Sequence, residues 1–358
     1  MQENRTPMER PDAPVGLKQI AQEAGLSIMT VSRALRPNSE IAAETRERVL
    51  EIARRLRYRP NLLVRAIQTG RSRNVGVVIP PYGKFGSRLV CGIHDELCSE
   101  QYLPLLHWKH GAASPGRQSA EEAELSVINC LIDRRVDGVI LFPADDSVPD
   151  LYFREVWERH IPLVTIDRQL RFTHADFAGT DDKHGTILAV KHLLDLGHTH
   201  LAHIAGDKRV VTYADRCAAF EMTLSGAGMK FKTMVVTDTD HDGIAAAARN
   251  ILERQPRPSA IFLGSDLYAP FVYKVAAALD LNIPSDVSVV GFADLEHAAF
   301  MQPPLTTVRQ DPYAIGSQAA RIVLDRCNGK LTGPEPVEFR LKPELVVRGS
   351  TAPPANKT

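Results

Sequence analysis

Two groups of side chains have residue types and spacing that could support catalysis or metal binding. His198, His200 and His203 lie close together in HTHLAH, and imidazole nitrogens at such spacing can bind a transition metal. The neighbouring carboxylates of Asp181 and Asp182 could act as a general acid and base. However, the sequence contains no GxxxxGKS/T phosphate loop, no HExxH and no GxSxG motif. These residues therefore favour a metal site or an enzyme only weakly.

A third group has the residue types of DNA recognition. The stretch GLSIMTVSRALR places Ile28 and Met29 at the start of a short helix, followed by Thr30, Ser32 and Arg33. With 100° between successive residues, Met29, Ser32 and Arg33 share the face opposite the apolar stripe. A recognition helix presents its N-terminal residues to base edges in this way. The simpler alternative is a small three-helix bundle with a cationic surface.

The elements that must position this stretch are two further helices. LKQIAQEA predicts a first helix, because its apolar residues recur at i, i+3, i+4 and i+7. Gly25 can end that helix in a left-handed conformation, and Ser27 can cap the next one. AAETRERVLEIARRLRY predicts a third helix with Val49, Ile52 and Leu56 on its core face. Two short helices joined by a tight glycine-containing turn fit a helix-turn-helix.

The charge distribution favours a polyanionic partner for the N-terminal region. The chain has a formal net charge of zero, yet residues 1–73 carry 14 Lys+Arg against 8 Asp+Glu. No acid occurs between Glu51 and Asp95, an interval that contains nine lysines and arginines. A basic unit beside a mildly acidic body is typical of nucleic-acid binding.

Length and composition indicate a cytoplasmic protein with two or three domains. The chain has 358 residues, of which 44% are hydrophobic and 24% charged, which is typical of globular domains. Its five cysteines are scattered, as in reduced cytosolic proteins. The polar N-terminus has no signal-peptide segment, and no apolar run approaches the ~20 residues of a membrane span.

Three ordered motifs, IAxxAGxSxxTVSRxL, TRxxV and LxYxPN, carry a resemblance to the lactose-repressor (LacI/GalR) family. The resemblance implies a DNA-binding headpiece at 16–59. It implies that Ile28, Met29 and Arg33 occupy the positions that set specificity, where apolar groups contact thymine methyls and arginine pairs with guanine. Thr30 and Ser32 would serve phosphates or the fold. The full set of predicted DNA-binding residues is Ser27, Ile28, Met29, Thr30, Ser32, Arg33, Asn61 and Ile67.

A hinge helix and linker are predicted at 60–73. PNLLVRAIQTG has helical spacing but only about two to three turns, and isolated helices that short are marginal in water. The resemblance implies that this segment orders on operator DNA against the second subunit, with Ile67 wedged into the minor groove. The family usually has leucine at that position and often alanine at the position of Val64. The alternative is a passive linker.

The remainder of the chain alternates short apolar strands with helices. VGVVIP, DGVILF, IPLVTID and SAIFLG are strand-like, whereas HGTILAVKHLLDLG and LYAPFVYKVAAALDL are helical. This pattern predicts an α/β fold with parallel sheets, and about a dozen strands predict two lobes. The resemblance extends over roughly 16–349. It implies a periplasmic-binding-protein-like effector and dimerisation domain at 74–349, with three crossovers and a ligand in the cleft at the strand ends.

The same resemblance gives the boundaries of the two lobes and the tails. Lobe one would comprise about 74–174 and 307–335, and lobe two about 175–306 and 336–349. Residues 1–15 and 350–358 are predicted to be disordered tails.

Candidate effector-binding residues follow from matches to the family's cleft positions. Arg216 in TYADRCAAF matches an effector-contacting arginine, and a guanidinium pairs well with vicinal hydroxyls or a carboxylate. Phe85 matches an aromatic residue that could stack on a sugar or a base. The other candidates are Asp145, Arg168, Ser265, Asp266 and Gln310. Each polar candidate could instead be structural, and Asp146 could take the place of Asp145.

Two departures from the family pattern leave the effector's identity open. Ala293 in GFAD stands where well-known members have a ligand-binding aspartate, and Asp294 follows one residue later. Asp238 falls near the position of an aromatic ligand wall in some members. The resemblance also places His198 in a helix-to-strand turn and Asp181 and Asp182 at a helix start, where capping is their expected role.

These observations predict a sequence-specific DNA-binding transcriptional regulator, a repressor that acts as a homodimer. Its operator affinity would be controlled by a small molecule, a carbohydrate or sugar acid, bound between the lobes. A solute-binding protein and a sugar-modifying enzyme are the alternatives. The first has no use for the headpiece, and a turnover assay would identify the second. No cofactor, metal or membrane partner is expected.

Overall fold

The computed structural model describes two compact units, Met1–Ser72 and Arg73–Thr358. The described residues are 15–35, 40–61, 66, 69–80, 83–108, 120–144, 153–171, 174–237 and 240–355. The predicted tail up to residue 14 and most of the predicted hinge helix lie outside them. So do Ile67, Asp145, Asp146 and Asp238.

The described part of the first unit contains three packed helices, α1 (Leu17–Ala24), α2 (Ile28–Ala34) and α3 (Ala43–Arg55). Gly25 ends α1 at φ 66°, a left-handed conformation that glycine adopts without strain. The Ser27 hydroxyl accepts the Thr30 N–H at 3.1 Å and so caps α2. The buried core includes Ile20, Ala21, Ala24, Val31, Val49, Ile52 and Ala53. The predicted helix-turn-helix is confirmed.

The second unit alternates strands and helices. In chain order the described elements are β1 (Asn74–Ile79), α4 (Gly83–Ser99), β2 (Leu103–Trp108), α5 (Ala120–Asp133), β3 (Gly138–Leu141), α6 (Arg154–Glu158), β4 (Leu163–Ile166), β5 (Asp176–Thr180), α7 (Asp182–Asp195), β6 (His200–Ala205), α8 (Val211–Gly226), β7 (Lys230–Val235), α9 (His241–Leu252), β8 (Ala260–Leu263), α10 (Ala269–Ala278), β9 (Ser288–Ala293), β10 (Thr306–Arg309), α11 (Pro312–Cys327), β11 (Glu338–Leu341) and β12 (Glu344–Val346). None of the described helices is long and apolar enough to cross a bilayer.

The described strands form two six-stranded sheets, one in each lobe. The order in lobe one is β11-β5-β4-β3-β1-β2, and the order in lobe two is β12-β10-β9-β8-β6-β7. Neighbouring strands are parallel except for β12, which runs antiparallel to β10. Every residue of β3, β4 and β8 is buried, because helices cover both faces of a parallel sheet. The predicted α/β class is confirmed.

The chain crosses between the lobes three times, after β5, after β10 and after β11. The predicted lobe boundaries at 174/175, 306/307 and 335/336 are therefore wrong, because each places one strand in the wrong lobe. β5 pairs with β4, β10 with β9, and β11 with β5. Each crossing follows the carboxyl end of a strand. Strand pairing decides lobe membership, and pairing is not readable from a strand's own sequence.

The segment after β12 is an ordered part of lobe two, which corrects the predicted disordered tail for residues 350–355. Ser350 is fully buried. Its hydroxyl donates to the Val289 carbonyl at 2.6 Å and accepts the Thr306 N–H at 2.8 Å. The Ala352 N–H donates to the Ser288 hydroxyl oxygen at 3.0 Å. GSTAPPANKT has a turn-like composition without periodicity, so only these tertiary bonds show that it is fixed.

Candidate functional site

A cleft of about 960 Å³ lies between the two lobes. Its walls are built from residues at the carboxyl ends of the strands. Phe142 follows β3, Asp167 and Arg168 follow β4, Ser265 follows β8, and Gln310 follows β10. Open α/β sheets bind ligands at this edge, and a cleft of this size accommodates a small molecule.

Arg216 lies on α8 in the cleft wall and is 5% exposed. Its Nε and Nη2 atoms lie 2.8 and 2.7 Å from Asp182 Oδ1, and Nη1 donates to the Gly264 carbonyl at 2.7 Å. Its Cζ lies 3.7 Å from the centre of the Phe292 ring, a cation–π contact. The hydrogen bonds use two of the five guanidinium N–H groups, and Nη2 adds an ion-pair contact, so the guanidinium is fixed in the cleft wall.

Two carboxylates share the charge of Arg216. Asp182 is buried, and burial raises its pKa to about 6, although the arginine opposes the shift. Burial also raises the pKa of Asp167, again against the effect of Arg216. Asp181 instead accepts the His184 N–H at 2.9 Å and caps α7. The expected capping role therefore holds for Asp181, whereas for Asp182 it is wrong, since its carboxylate pairs with the arginine.

Arg168 and Gln310 line the cleft, as their matches to the family predicted. The Arg168 guanidinium donates to the Ala144 carbonyl at 3.1 Å and lies 5.4 Å from the centre of the Phe142 ring. The Gln310 side chain donates to the Thr180 hydroxyl at 2.8 Å. This bond joins the ends of β10 and β5, so Gln310 connects the two sheets at the base of the cleft.

Phe85 and Ser265 also line the cleft, but Asp266 does not. Asp266 is fully buried, and its carboxylate accepts the Thr307 hydroxyl at 2.7 Å and the Leu295 N–H at 2.9 Å. The prediction of an effector contact for Asp266 is corrected to a structural role, because both carboxylate oxygens are engaged within lobe two. Burial raises its pKa to about 6.

The end of β9 carries the departure from the family pattern. Ala293 and Asp294 both line the cleft, and both have positive φ, 123° and 52°. Positive φ is strained for an alanine and is held only by the surrounding structure. The Asp294 carboxylate accepts Arg309 Nε and Arg348 Nη2, each at 2.7 Å. The acid that follows Ala293 is therefore engaged by two arginines.

The polar residues of the cleft that the sequence prediction missed include Asp167, Thr212, Tyr213 and Arg309. Three of them carry a local signal. Asp167 directly precedes Arg168 in the IDR motif, and Tyr213 lies about one turn before Arg216 on α8. Arg309 directly precedes Gln310 at the carboxyl end of β10.

The DNA-reading candidates lie at the surface of the first unit. Ile28 is 49% and Met29 67% exposed, and Arg33 is exposed on the same short helix. Ser27 and Thr30 bond to each other, so they shape the helix start. Ser32 is half-buried and Asn61 exposed. Large apolar side chains so exposed at a helix N-terminus are available to contact base edges.

The three histidines of HTHLAH have separate surroundings. His198 bonds to the Ser259 hydroxyl at 2.8 Å and the Ala352 carbonyl at 3.0 Å. His203 is fully buried between Phe220 and Phe262, and neither ring nitrogen has a hydrogen-bond partner. Burial lowers the pKa of His203 to about 3. Within the described ranges, no group of three or more His, Cys, Asp or Glu residues could hold a metal.

Comparison with known protein families gives two matches on this chain. Residues 16–61 match the model described as bacterial regulatory proteins, lacI family. Residues 190–351 match a periplasmic binding protein-like domain.

Relatives match almost the whole chain. The regulator MalR of Streptomyces coelicolor is 33% identical, over 94% of this chain and 96% of its own length. The regulator CelR of Thermobifida fusca is 30% identical, over 96% of this chain and all of its own length. The HTH-type transcriptional repressor PurR of Aliivibrio fischeri is 27% identical over 93% of this chain and 97% of its own length.

Solved structures show the same architecture. A CelR–cellobiose complex matches with a TM-score of 0.67 at 28% identity, covering 94% of this chain and 99% of that one. The lac repressor dimer bound to operator and an anti-inducer matches with a TM-score of 0.77 over 95% of this chain and 100% of that one. At 24% identity the second likeness concerns the fold alone.

Proposed function

Because the chain belongs to the LacI family of bacterial regulatory proteins, we propose that it represses transcription from a specific operator under the control of a small molecule. It is a DNA-binding transcriptional regulator, as its family and its helix-turn-helix indicate. One observation carries the proposal. A single chain joins an exposed DNA-reading helix to a large cleft with polar and aromatic walls.

Operator recognition is assigned to the first turns of α2. Arg33 can donate two hydrogen bonds to guanine, and the exposed Ile28 and Met29 can contact thymine methyls. Ser27 and Thr30 hold the helix start, and Asn61 and Ile67 are proposed to contact DNA beyond the helix-turn-helix. The basic composition of residues 1–73 supplies the attraction to phosphates.

The effector is proposed to be a carbohydrate or sugar acid held between the lobes. Arg216 is fixed by Asp182, Gly264 and Phe292, so its remaining N–H groups are preorganised for hydroxyl or carboxylate oxygens. Aromatic residues in the walls, such as Phe85, supply apolar surface for the faces of a sugar ring. Arg168, Ser265 and Gln310 complete the proposed contacts, together with Asp145, which lies outside the described residues.

A homodimer is proposed as the form that binds DNA. The edge strand β2 exposes Leu103, Leu106 and Trp108, and the edge strand β7 of the other lobe exposes Phe231 and Val235. Apolar side chains on exposed edge strands are unfavourable in water and are normally covered. A second copy can cover both edges through a twofold axis, which also pairs two headpieces for a symmetric operator.

The proposed role is not enzymatic, and it is exercised in the cytoplasm. The relatives described above are regulators, and the buried carboxylate of Asp182 beside the cleft is bound to Arg216. A repressor must reach chromosomal DNA, which in bacteria lies in the cytoplasm.

A ligand screen followed by calorimetry tests the effector site. A thermal-shift screen over sugars, sugar acids and purines identifies the molecule that stabilises the protein most. Arg216→Lys keeps the charge beside Asp182 but removes the planar guanidinium, so it should weaken binding of that molecule about tenfold or more. Arg249→Lys, in an exposed ion pair on α9, is the matched control and should bind like wild type. Equal affinity in all three proteins would remove Arg216 from the site.

A further inference from the structure

Besides the three crossovers, Arg171 joins the two lobes by hydrogen bonds. It follows β4 in lobe one, and its Nη2 donates to the backbone carbonyls of Lys208 at 3.1 Å and Arg209 at 2.9 Å. Those carbonyls follow β6 in lobe two. A cation on one lobe therefore holds main-chain acceptors of the other.

The acceptor loop is held in shape by its own residues. Asp207 accepts the Arg209 N–H at 2.9 Å and also binds the Arg209 guanidinium through Nε and Nη2. The Lys208 ammonium lies 3.6 Å from Glu221 of α8, an exposed pair that adds only weakly to the hold on the loop. Because the loop is already ordered, its two carbonyls can accept hydrogen bonds from Arg171 with little further loss of conformational entropy.

The contact lies beside the cleft on both lobes. Arg168, three residues before Arg171, lines the cleft, as do Thr212 and Tyr213, which follow the acceptor loop. Hydrogen bonds from Arg209 lower the pKa of Asp207, and the charge of Arg168 in lobe one adds a smaller contribution in the same direction. An interlobe ion pair at the cleft, Lys84–Glu296 at 3.5 Å, is exposed on both sides and contributes little.

We propose that Arg171 is a latch that favours the closed arrangement of the two lobes. In the open arrangement the guanidinium and the two carbonyls would be hydrated separately, so their bonds are made only when the lobes close. The latch slows the escape of a small molecule from the cleft and raises its affinity, because such a ligand is released only after opening. This inference depends on the two-lobed cleft and on neither the operator nor the effector's identity.

Distances between two spin labels, measured by pulsed electron–electron double resonance on the full-length protein, test the latch without any ligand. The spin labels are attached to the cysteines of the S87C substitution in α4 and the F300C substitution in lobe two, both at exposed positions. The exposed cysteines Cys91, Cys98 and Cys130 are first replaced by serine. Singly labelled proteins identify distances between subunits. Arg171→Ala should add a longer-distance population and raise the ratio of open to closed molecules about three- to tenfold, the range for one or two exposed hydrogen bonds.

Two further variants and a control make the outcome decisive. Arg171→Lys retains a donor and should open the lobes less than Arg171→Ala, whereas Arg171→Glu repels the carbonyls and should open them more. Arg159→Ala removes an exposed arginine of lobe one that pairs with Glu155, and it should leave the distances unchanged. Superimposable distributions for wild type, Arg171→Ala and Arg171→Glu would overturn the proposal, as would equal opening by Arg159→Ala.

Discussion

Asp182 and Arg216 form a buried ion pair in the wall of the cleft, with 3% and 6% of their side chains exposed. Asp182 Oδ1 lies 2.7 Å from Nη2 and 2.8 Å from Nε of the arginine. The pair has two consequences. It orients the guanidinium toward the cleft, and it makes each partner necessary for burying the other.

The first prediction concerns the stability of this pair. Asp182→Ala should lower the free energy of unfolding by about 3–5 kcal/mol, because it leaves the arginine buried without its counter-charge. The double variant Asp182→Leu/Arg216→Met should lose much less, since no unpaired charge remains. Urea denaturation measures both. Breaking the exposed pair with Arg249→Ala is the control and should cost about 0–1 kcal/mol. Additive losses in the double variant would contradict the coupling.

The second prediction concerns base recognition by α2. Arg33→Ala should weaken binding to the best operator by about 1–3 kcal/mol and relax the preference at one base pair, because a bidentate contact to guanine is lost. Arg54→Ala is the control, since a phosphate contact would weaken binding to every sequence alike. Titration of both variants against the operator and its single-base variants separates the two effects. A uniform loss for Arg33→Ala would place that side chain on phosphate.

Sequence reasoning predicted the order of the elements better than their partners. The helix-turn-helix and the α/β class follow from periodicity and ordered motifs, and the three crossovers were implied by the family resemblance. The lobe assignment of β5, β10 and β11 does not, because it depends on which strand pairs with which. The residues of the cleft show the same difference between what motifs predict and what depends on tertiary contacts. Arg216 and Gln310 were found through motif matches, whereas the engagement of Asp266 by Thr307 and Leu295 depends on contacts distant in sequence.

The third prediction concerns pH and His203. Its pKa is about 3 in the folded protein and about 6.5 when unfolded, so folding excludes a proton that the unfolded chain binds. The stability that depends on its neutral form is complete above pH 6.5 and is lost as pH falls toward 3. His203→Leu should therefore reduce the loss of stability between pH 8 and pH 5 by about 2 kcal/mol.

Urea midpoints at the two pH values check the His203 prediction. Met222→Gln, a substitution without a titratable group at an exposed position on α8, is the control and should show the same pH dependence as wild type. If His203→Leu loses as much stability on acidification as wild type does, the buried imidazole is not the responsible group.

The fourth prediction concerns the C-terminal segment. Truncation after Gly349 removes the buried Ser350 and its bonds to Val289 and Thr306, together with the Ala352–Ser288 bond. It should lower the free energy of unfolding by several kcal/mol, about 1–3 kcal/mol for each buried group left unsatisfied. Truncation after Ala355 keeps all of these bonds and is the matched control. Equal melting temperatures of the two truncated proteins would show that residues 350–355 contribute nothing to lobe two.

The most direct measurement of the central claim is selection of duplexes from a random pool by the purified full-length protein, followed by sequencing. A homodimer that reads DNA through α2 should enrich a single pseudo-palindromic motif, with a guanine in each half-site that Arg33→Ala no longer selects. Adding the molecule chosen by the thermal-shift screen should change the affinity for that motif, because ligand and operator binding are linked reciprocally. Enrichment of no symmetric motif by the wild-type protein would contradict the account.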